Sequence, residues 1–299
     1  MQHRIKTLGE LFKTTFKEWN DKDPFRQSAV IAYYAIFGIP GLLILVLSIA
    51  GYFFGKEVVD QNILGQVSKT LGAETAKQIG AILVNVGKSK ATVLGSIIGI
   101  VILLVGATGV FVELQKTLNA IWQVKVVPRK GLWPILKARL FSFGLLLAIA
   151  FLLLISLVVS TTLASMSNWM QGDDSHLRVV FFNVLNFIFS FAVISFLFAL
   201  MFKILPDAKI EWKHVWLGSI VTGLLFEMGK ISLAFYFGKA QPASVYGAAG
   251  SVILILLWVS YSSIILFFGA EFTATYAKMH SGKIAPAQIA KPVASDKPQ

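Results

Sequence analysis

Along the chain, six long apolar stretches alternate with polar segments: about 28–54, 92–112, 139–165, 179–202, 215–237 and 247–275. Each reaches the roughly 20 residues that an α-helix needs to cross the hydrocarbon core. Lipid offers the backbone no hydrogen-bond partner, so a spanning segment is a helix or a strand of a closed barrel. Barrel strands alternate apolar and polar residues, whereas the runs here are continuous, as in Ile97 to Val105. The pattern therefore predicts an all-α fold, a polytopic helix bundle with six transmembrane helices across residues 28–278.

The segments between spans predict less. Before the first span, Ile5, Leu8, Phe12, Phe16 and Trp19 recur at helical spacing with lysines among them. Residues 1–27 thus read as an amphipathic arm, lying in the membrane interface or packed on the loops, and too charged for a cleavable signal peptide. Residues 55–91 predict two short helices on the one sizeable external loop. Residues 279–299, rich in Ala, Pro and Lys, read as a disordered tail. Of the seven tryptophans, Trp19, Trp122, Trp133, Trp169, Trp212 and Trp216 lie near span ends, where an aromatic belt places them.

Composition agrees. The 299 residues are 56% hydrophobic and 14% charged. Soluble domains carry about 25% charged residues, so this chain has too few to wet a globular surface. The absence of cysteine excludes a disulfide scaffold. The net charge of +12 could suggest a nucleic-acid surface, but the positive charges follow topology. Of the 27 Lys and Arg, nineteen lie on the arm, on 113–139, on 203–214 and after 275. Seven lie on the alternate loops, and Lys230 is within the fifth span. Positive residues mark the cytoplasmic side, so both termini are expected there. The basic segments lack interleaved aromatic residues, so no nucleic-acid partner is expected. Anionic lipid headgroups at the cytoplasmic face are the expected partner.

Several stretches together resemble the YihY/BrkB family of bacterial multi-pass inner-membrane proteins, once mislabelled ribonuclease BN. They are Ala32-Tyr33-Tyr34-Ala35-Ile36-Phe37 with Ile39-Pro40, Leu118-Asn119-Ala120-Ile121-Trp122, Leu205-Pro206 with Trp212, Tyr246-Gly247, Trp258, and Gly269-Ala270-Glu271. The likeness covers about residues 20–278. Gly38 departs from it, standing where a Ser is expected. The resemblance implies the six-span architecture and a bacterial inner-membrane location. Function it implies only loosely, since members have been called virulence factors, candidate exporters of lipid-like molecules and ribonucleases.

Candidate chemistry is confined to the few polar groups in or beside the spans. An ionisable group at mid-depth costs about 2.5–3.5 kcal/mol on an insertion scale, so each needs a reason. Glu227 and Lys230 are three apart and share a helical face. They either pair and fix packing, or face a cavity for a headgroup, an ion or a proton. Glu113 and Lys116 repeat the spacing. Around them Thr108-Gly109, Ala120 and Trp122 align with Thr222-Gly223, Ala234 and Tyr236, as an inverted 3+3 repeat would give. Glu271 either caps a pocket or is solvated at the interface. Asn183 and Asn186 share a face of the fourth span, where hydrogen bonding between helices is the commoner use. Pro40 would kink the first span beyond Tyr33 and Tyr34. Gly95, Gly99, Gly106 and Gly109 would allow close helix contact on the second span.

The expected function is a secondary transporter or lipid/solute exporter with a polar cavity between the helices. A non-catalytic membrane scaffold is the alternative. No P-loop pattern occurs, and His3, His176, His214 and His280 are scattered. Neither a cofactor nor an enzymatic activity, ribonuclease included, is therefore expected.

Overall fold

The computed structural model describes residues 2–38, 93–126, 175–240, 250–281, 285–286 and 290–292, and single positions at 65, 80, 144 and 152. These residues form six helices: α1 (Gln2–Asp21), α2 (residues 24–38), α3 (Val93–Ile121), α4 (Ser175–Ile204), α5 (Trp212–Ala240) and α6 (Gly250–Ser281). Within α4, α5 and α6, the stretches Val184–Ile204, Trp212–Phe237 and Val252–His280 are long and apolar enough to cross a membrane. They coincide with the last three spans read from the sequence. The second of the six predicted spans lies on α3, which runs on to Ile121. The beginning of the first is helical in α2. The third span and the loop helices of 55–91 lie outside the described residues.

Local chemistry sets the boundaries. Between α1 and α2, Asp23 takes a positive φ of 52° and Pro24 opens α2. Proline suits the first helical position, because its missing N–H would have no helical partner there. α3 stops where Gln123 turns left-handed at φ 54°. Pro206 follows the end of α4 and has no N–H to donate. Lys203 closes that turn by donating to the Ile210 carbonyl.

The helices meet through small residues. A side chain added at Gly218 would overlap Thr273, one at Gly269 would overlap Thr222, and one at Gly229 would overlap the Tyr261 hydroxyl. The index rises on α5 as it falls on α6, so the two pack antiparallel with their backbones close. Thr222 and Thr273 keep their hydroxyls satisfied by donating to the Gly218 and Gly269 carbonyls, one turn back on their own helices. α2 and α3 approach equally closely. A Cβ at Gly106 would lie 2.5 Å from the Gly38 nitrogen, and one at Gly109 would enter the Tyr34 ring. The backbone at Gly38 thus lies directly against Gly106.

Among the described residues, the larger core cluster lies toward one end of the helices. Trp122, Leu118, Phe202, Phe267 and Val215 are fully buried there, with Trp19 from α1. Two strand pairs cover that end: Val124–Val126 (β1) with Ala290–Pro292 (β4), and Ala208–Lys209 (β2) with Ala285–Pro286 (β3), both antiparallel. The tail expected to be disordered therefore contributes two strands. Its short extended segments find free edges on the segments that follow α3 and α4, a pairing that composition does not reveal. Nor do all the tryptophans form a belt. Trp212 and Trp216 are 44% and 42% exposed, but Trp122 is a core residue at 2%.

α1 divides its surface. Leu11, Thr15 and Trp19 are buried, whereas Leu8, Phe12 and Phe16 are exposed. Ring contacts of Phe12 with Phe272 (5.3 Å) and Trp19 with Phe268 (5.8 Å) lay the arm along the C-terminal half of α6.

Candidate functional site

Three carboxylates singled out by the sequence sit in three surroundings. Glu227 is buried at 5% exposure near the middle of α5. Its Oε2 pairs with Lys230 Nζ at 2.5 Å, and the lysine side chain is one-third exposed. One turn earlier on the same face, a Cβ at Gly223 would lie 2.5 Å from Ser195 Oγ on α4. Glu227 thus follows the side of α5 that meets α4. Its second oxygen, Oε1, and the buried Ser195 hydroxyl have no hydrogen-bond partner among the described residues. A buried acceptor left unpaired costs about 1–3 kcal/mol, and more when charged.

Glu113 and Lys116 form the corresponding pair on α3, at 3.3 Å. Here the lysine is 68% exposed and the carboxylate 21%, so the pair is largely open. Open pairs of this kind contribute at most about 1 kcal/mol.

Glu271 is completely buried on α6, ten residues before the end of that helix. Lys22, just past α1, donates to its Oε2 at 2.7 Å. Lys22 also lies 3.6 Å from Glu18, which in turn receives Lys278 at 3.4 Å. Four alternating charges therefore bind the arm to the last helix. Partial burial alone would raise the Glu18 pKa, but the charge of Lys278, a side-chain hydrogen bond with Glu271 and the charge of Lys22 outweigh it and hold the carboxyl below its ordinary range. Beside this network runs a groove of about 560 Å³ lined by Lys13, Thr14, Lys17, Glu18, Asp21, Lys22 and Gln123.

The remaining candidates are dispersed. Asn186 has a buried Oδ1 with no partner among the described residues. It is nine residues from Ser195, about half a turn of azimuth away, so it is not gathered to the face that carries Glu227. Asn183 lies in α4 one turn earlier, with its side chain outside the described set. Tyr33 is exposed and in edge contact with Tyr34 and Phe37, at 5.6 and 5.3 Å. Tyr34 packs on Gly109. Pro40 falls outside the described residues.

Sequence reasoning named Asn119 only within the Leu118–Trp122 stretch of the family resemblance and did not single out Gln115, Asp207 or Lys22. Asn119, buried at the end of α3, donates to Asp207 Oδ2 at 2.9 Å and accepts the Asp207 backbone N–H at 2.8 Å. Gln115 adds a third hydrogen bond to the same residue, reaching its carboxylate at 3.2 Å. This clasp joins the last turns of α3 to the segment after α4. An amide in the last turn of a hydrophobic helix was the available signal, since a buried amide needs partners.

Comparison with known proteins agrees with a membrane protein. A UPF0761 membrane protein of Saccharophagus degradans is 28% identical over 91% of this chain and 60% of its own length. One from Teredinibacter turnerae is 27% identical over 91% of this chain and 61% of its own. Another, from Pseudoalteromonas atlantica, is 25% identical over 89% and 85%. The chain thus spans about three fifths of the length of the first two relatives. No solved structure matches it. The family model described as Virulence factor BrkB matches residues 15–293, and with its long apolar helices this chain belongs to that family of membrane proteins.

Proposed function

We propose that the protein is a six-span component of the bacterial inner membrane, with both termini cytoplasmic, that works as a secondary transporter or an exporter of lipid or solute. Glu227 carries this reading. It is a carboxylate buried within a span, with one oxygen held by Lys230 and the other without a partner among the described residues. Such a group could accept a proton, a cation or a polar headgroup. The lysine keeps the charge tolerable in the resting state and could release it when a ligand arrives. A polar cavity between α4 and α5 beside Glu227 is part of the proposal. So is an inverted 3+3 repeat, for which the matching pairs at Glu113–Lys116 and Glu227–Lys230 speak. Neither an enzymatic activity nor a cofactor is invoked.

Flux in reconstituted vesicles tests the reading. Wild-type protein should move a lipid, an ion or a small solute, and Glu227→Gln should move it at least tenfold more slowly while remaining folded. Equal rates for the two proteins, or no movement by the wild type under any gradient, would sink it. A second reading, a non-catalytic membrane scaffold, is favoured by a specific observation: Glu113, Glu227 and Glu271 are all ion-paired. A scaffold tolerates Glu227→Gln wherever the helices still pack.

A further inference from the structure

We infer that α1 is a docking element for anionic phospholipid, inserting Leu8, Phe12 and Phe16 into the cytoplasmic leaflet while Lys13 and Lys17 contact phosphate groups. The inference rests on the membrane orientation proposed above, but not on transport.

Three faces of one helix carry it. Leu11, Thr15 and Trp19 are spent on packing, at 4%, 0% and 8% exposure. Leu8, Phe12 and Phe16, spaced four apart, form a second stripe with 54%, 46% and 59% of their surface free. Residues four apart differ by only about 40° in azimuth, so the stripe is continuous. Phe16 and Trp19 are in ring contact at 5.4 Å, as are Trp19 and Phe25 at 5.9 Å. Phe25 is itself 60% exposed and extends the apolar surface beyond the end of α1. Lys13 and Lys17 begin about 60° beyond Phe16 on the wheel. Both are exposed, and neither forms an ion pair among the described residues.

The occupant follows from charge and from position. An apolar stripe flanked by free lysines matches a surface that is apolar below and anionic above, which describes a leaflet containing acidic phospholipid. The helix is already fastened beside one. Lys22–Glu271 and the contacts to Phe268 and Phe272 hold α1 against the end of α6, a helix long enough to span the membrane. An acidic protein partner would account for the lysines but leave the aromatic stripe in water.

The chain has no cysteine, so Phe16→Cys introduces a unique thiol for a bimane label, with Glu10→Cys as the control on the opposite side of α1. Full-length protein is placed in nanodiscs of phosphatidylcholine, with and without phosphatidylglycerol, and challenged with doxyl-labelled lipid or aqueous iodide. The label at position 16 should be quenched by lipid and shielded from iodide, more strongly with phosphatidylglycerol, and the label at position 10 the reverse. Lys13→Gln and Lys17→Gln should each reduce the phosphatidylglycerol effect about fivefold, as expected for one basic residue near an anionic surface. Iodide quenching at position 16 overturns the inference, and so does lipid quenching that is equal in both lipid mixtures. Shielding of position 16 from both quenchers also overturns it, by showing that a protein surface covers the stripe. None of these readouts requires flux, so a failure here and a failure of the Glu227 reading remain distinct.

Discussion

Lys22 Nζ lies 2.7 Å from Glu271 Oε2, joining the end of the N-terminal arm to the last helix across 249 positions of sequence. The carboxylate is fully buried and the lysine 23% exposed, so the two ends of the pair are not equivalent.

That asymmetry predicts the order of two substitutions. Lys22→Met strands a carboxylate that cannot reach water and should cost about 3–5 kcal/mol. Glu271→Gln leaves a lysine that can swing toward solvent and should cost clearly less. Adding Glu271→Gln to Lys22→Met should recover part of the loss. Unfolding of the four proteins in one detergent, read as a double-mutant cycle, checks both statements.

The network around Glu18 predicts a pH dependence. Its folded pKa is below the ordinary value of 4.5, so the folded state binds this proton less readily than the unfolded chain. The contribution to stability is complete above about pH 4.5 and is lost as pH falls through the lower folded value. The wild type should therefore hold its arm more tightly than Glu18→Gln at neutral pH, and the difference should vanish in acid. Amide exchange across α1, measured in both proteins from neutral pH down into acid, reads that difference.

Close approach between α5 and α6 predicts an unusually strict glycine. Gly229→Ala forces a methyl group into the Tyr261 hydroxyl. Overpacking typically costs about 1–3 kcal/mol. Tyr261→Phe would still leave the ring carbon Cζ overlapping the added methyl and should restore little, whereas Tyr261→Ala removes the ring and should restore part of the loss. Thermal stability of the single and double variants decides it.

The Asn119–Asp207 clasp predicts a local effect. Asn119→Ala removes a donor and an acceptor at once and should cost about 1–3 kcal/mol. Asn119→Asp keeps the shape but sets two carboxylates together, and should cost more at neutral pH than in acid. Protease sensitivity of the 203–214 turn would report the loosening.

How far these contacts were legible depends on their range. Helix positions could be read because apolar length is a local property, and α4, α5 and α6 fall on the last three stretches read from hydropathy. The close approach at Gly106 and Gly109 was equally visible, since small residues spaced along one apolar segment admit few other uses. Glu271 was harder. Its position near a span end left solvation and burial open, and its partner Lys22 is identifiable only once α1 lies on α6. Trp122 shows the same limit, since nearness to a span end does not distinguish an interface residue from a core residue. The β1–β4 and β2–β3 pairs were the least legible, being two or three residues long and carrying no alternation.

The distance in sequence between Lys22 and Glu271 also sets a timetable for biosynthesis. Translation adds on the order of ten residues each second, so the lysine is made roughly 25 s before its carboxylate partner. Throughout that interval α1 has no docking site on α6. When Glu271 finally reaches the membrane, the cation that makes its burial tolerable is already waiting. Seating of the first helix therefore waits on the last, and a nascent chain that stalls before residue 271 lacks the carboxylate that fastens its arm.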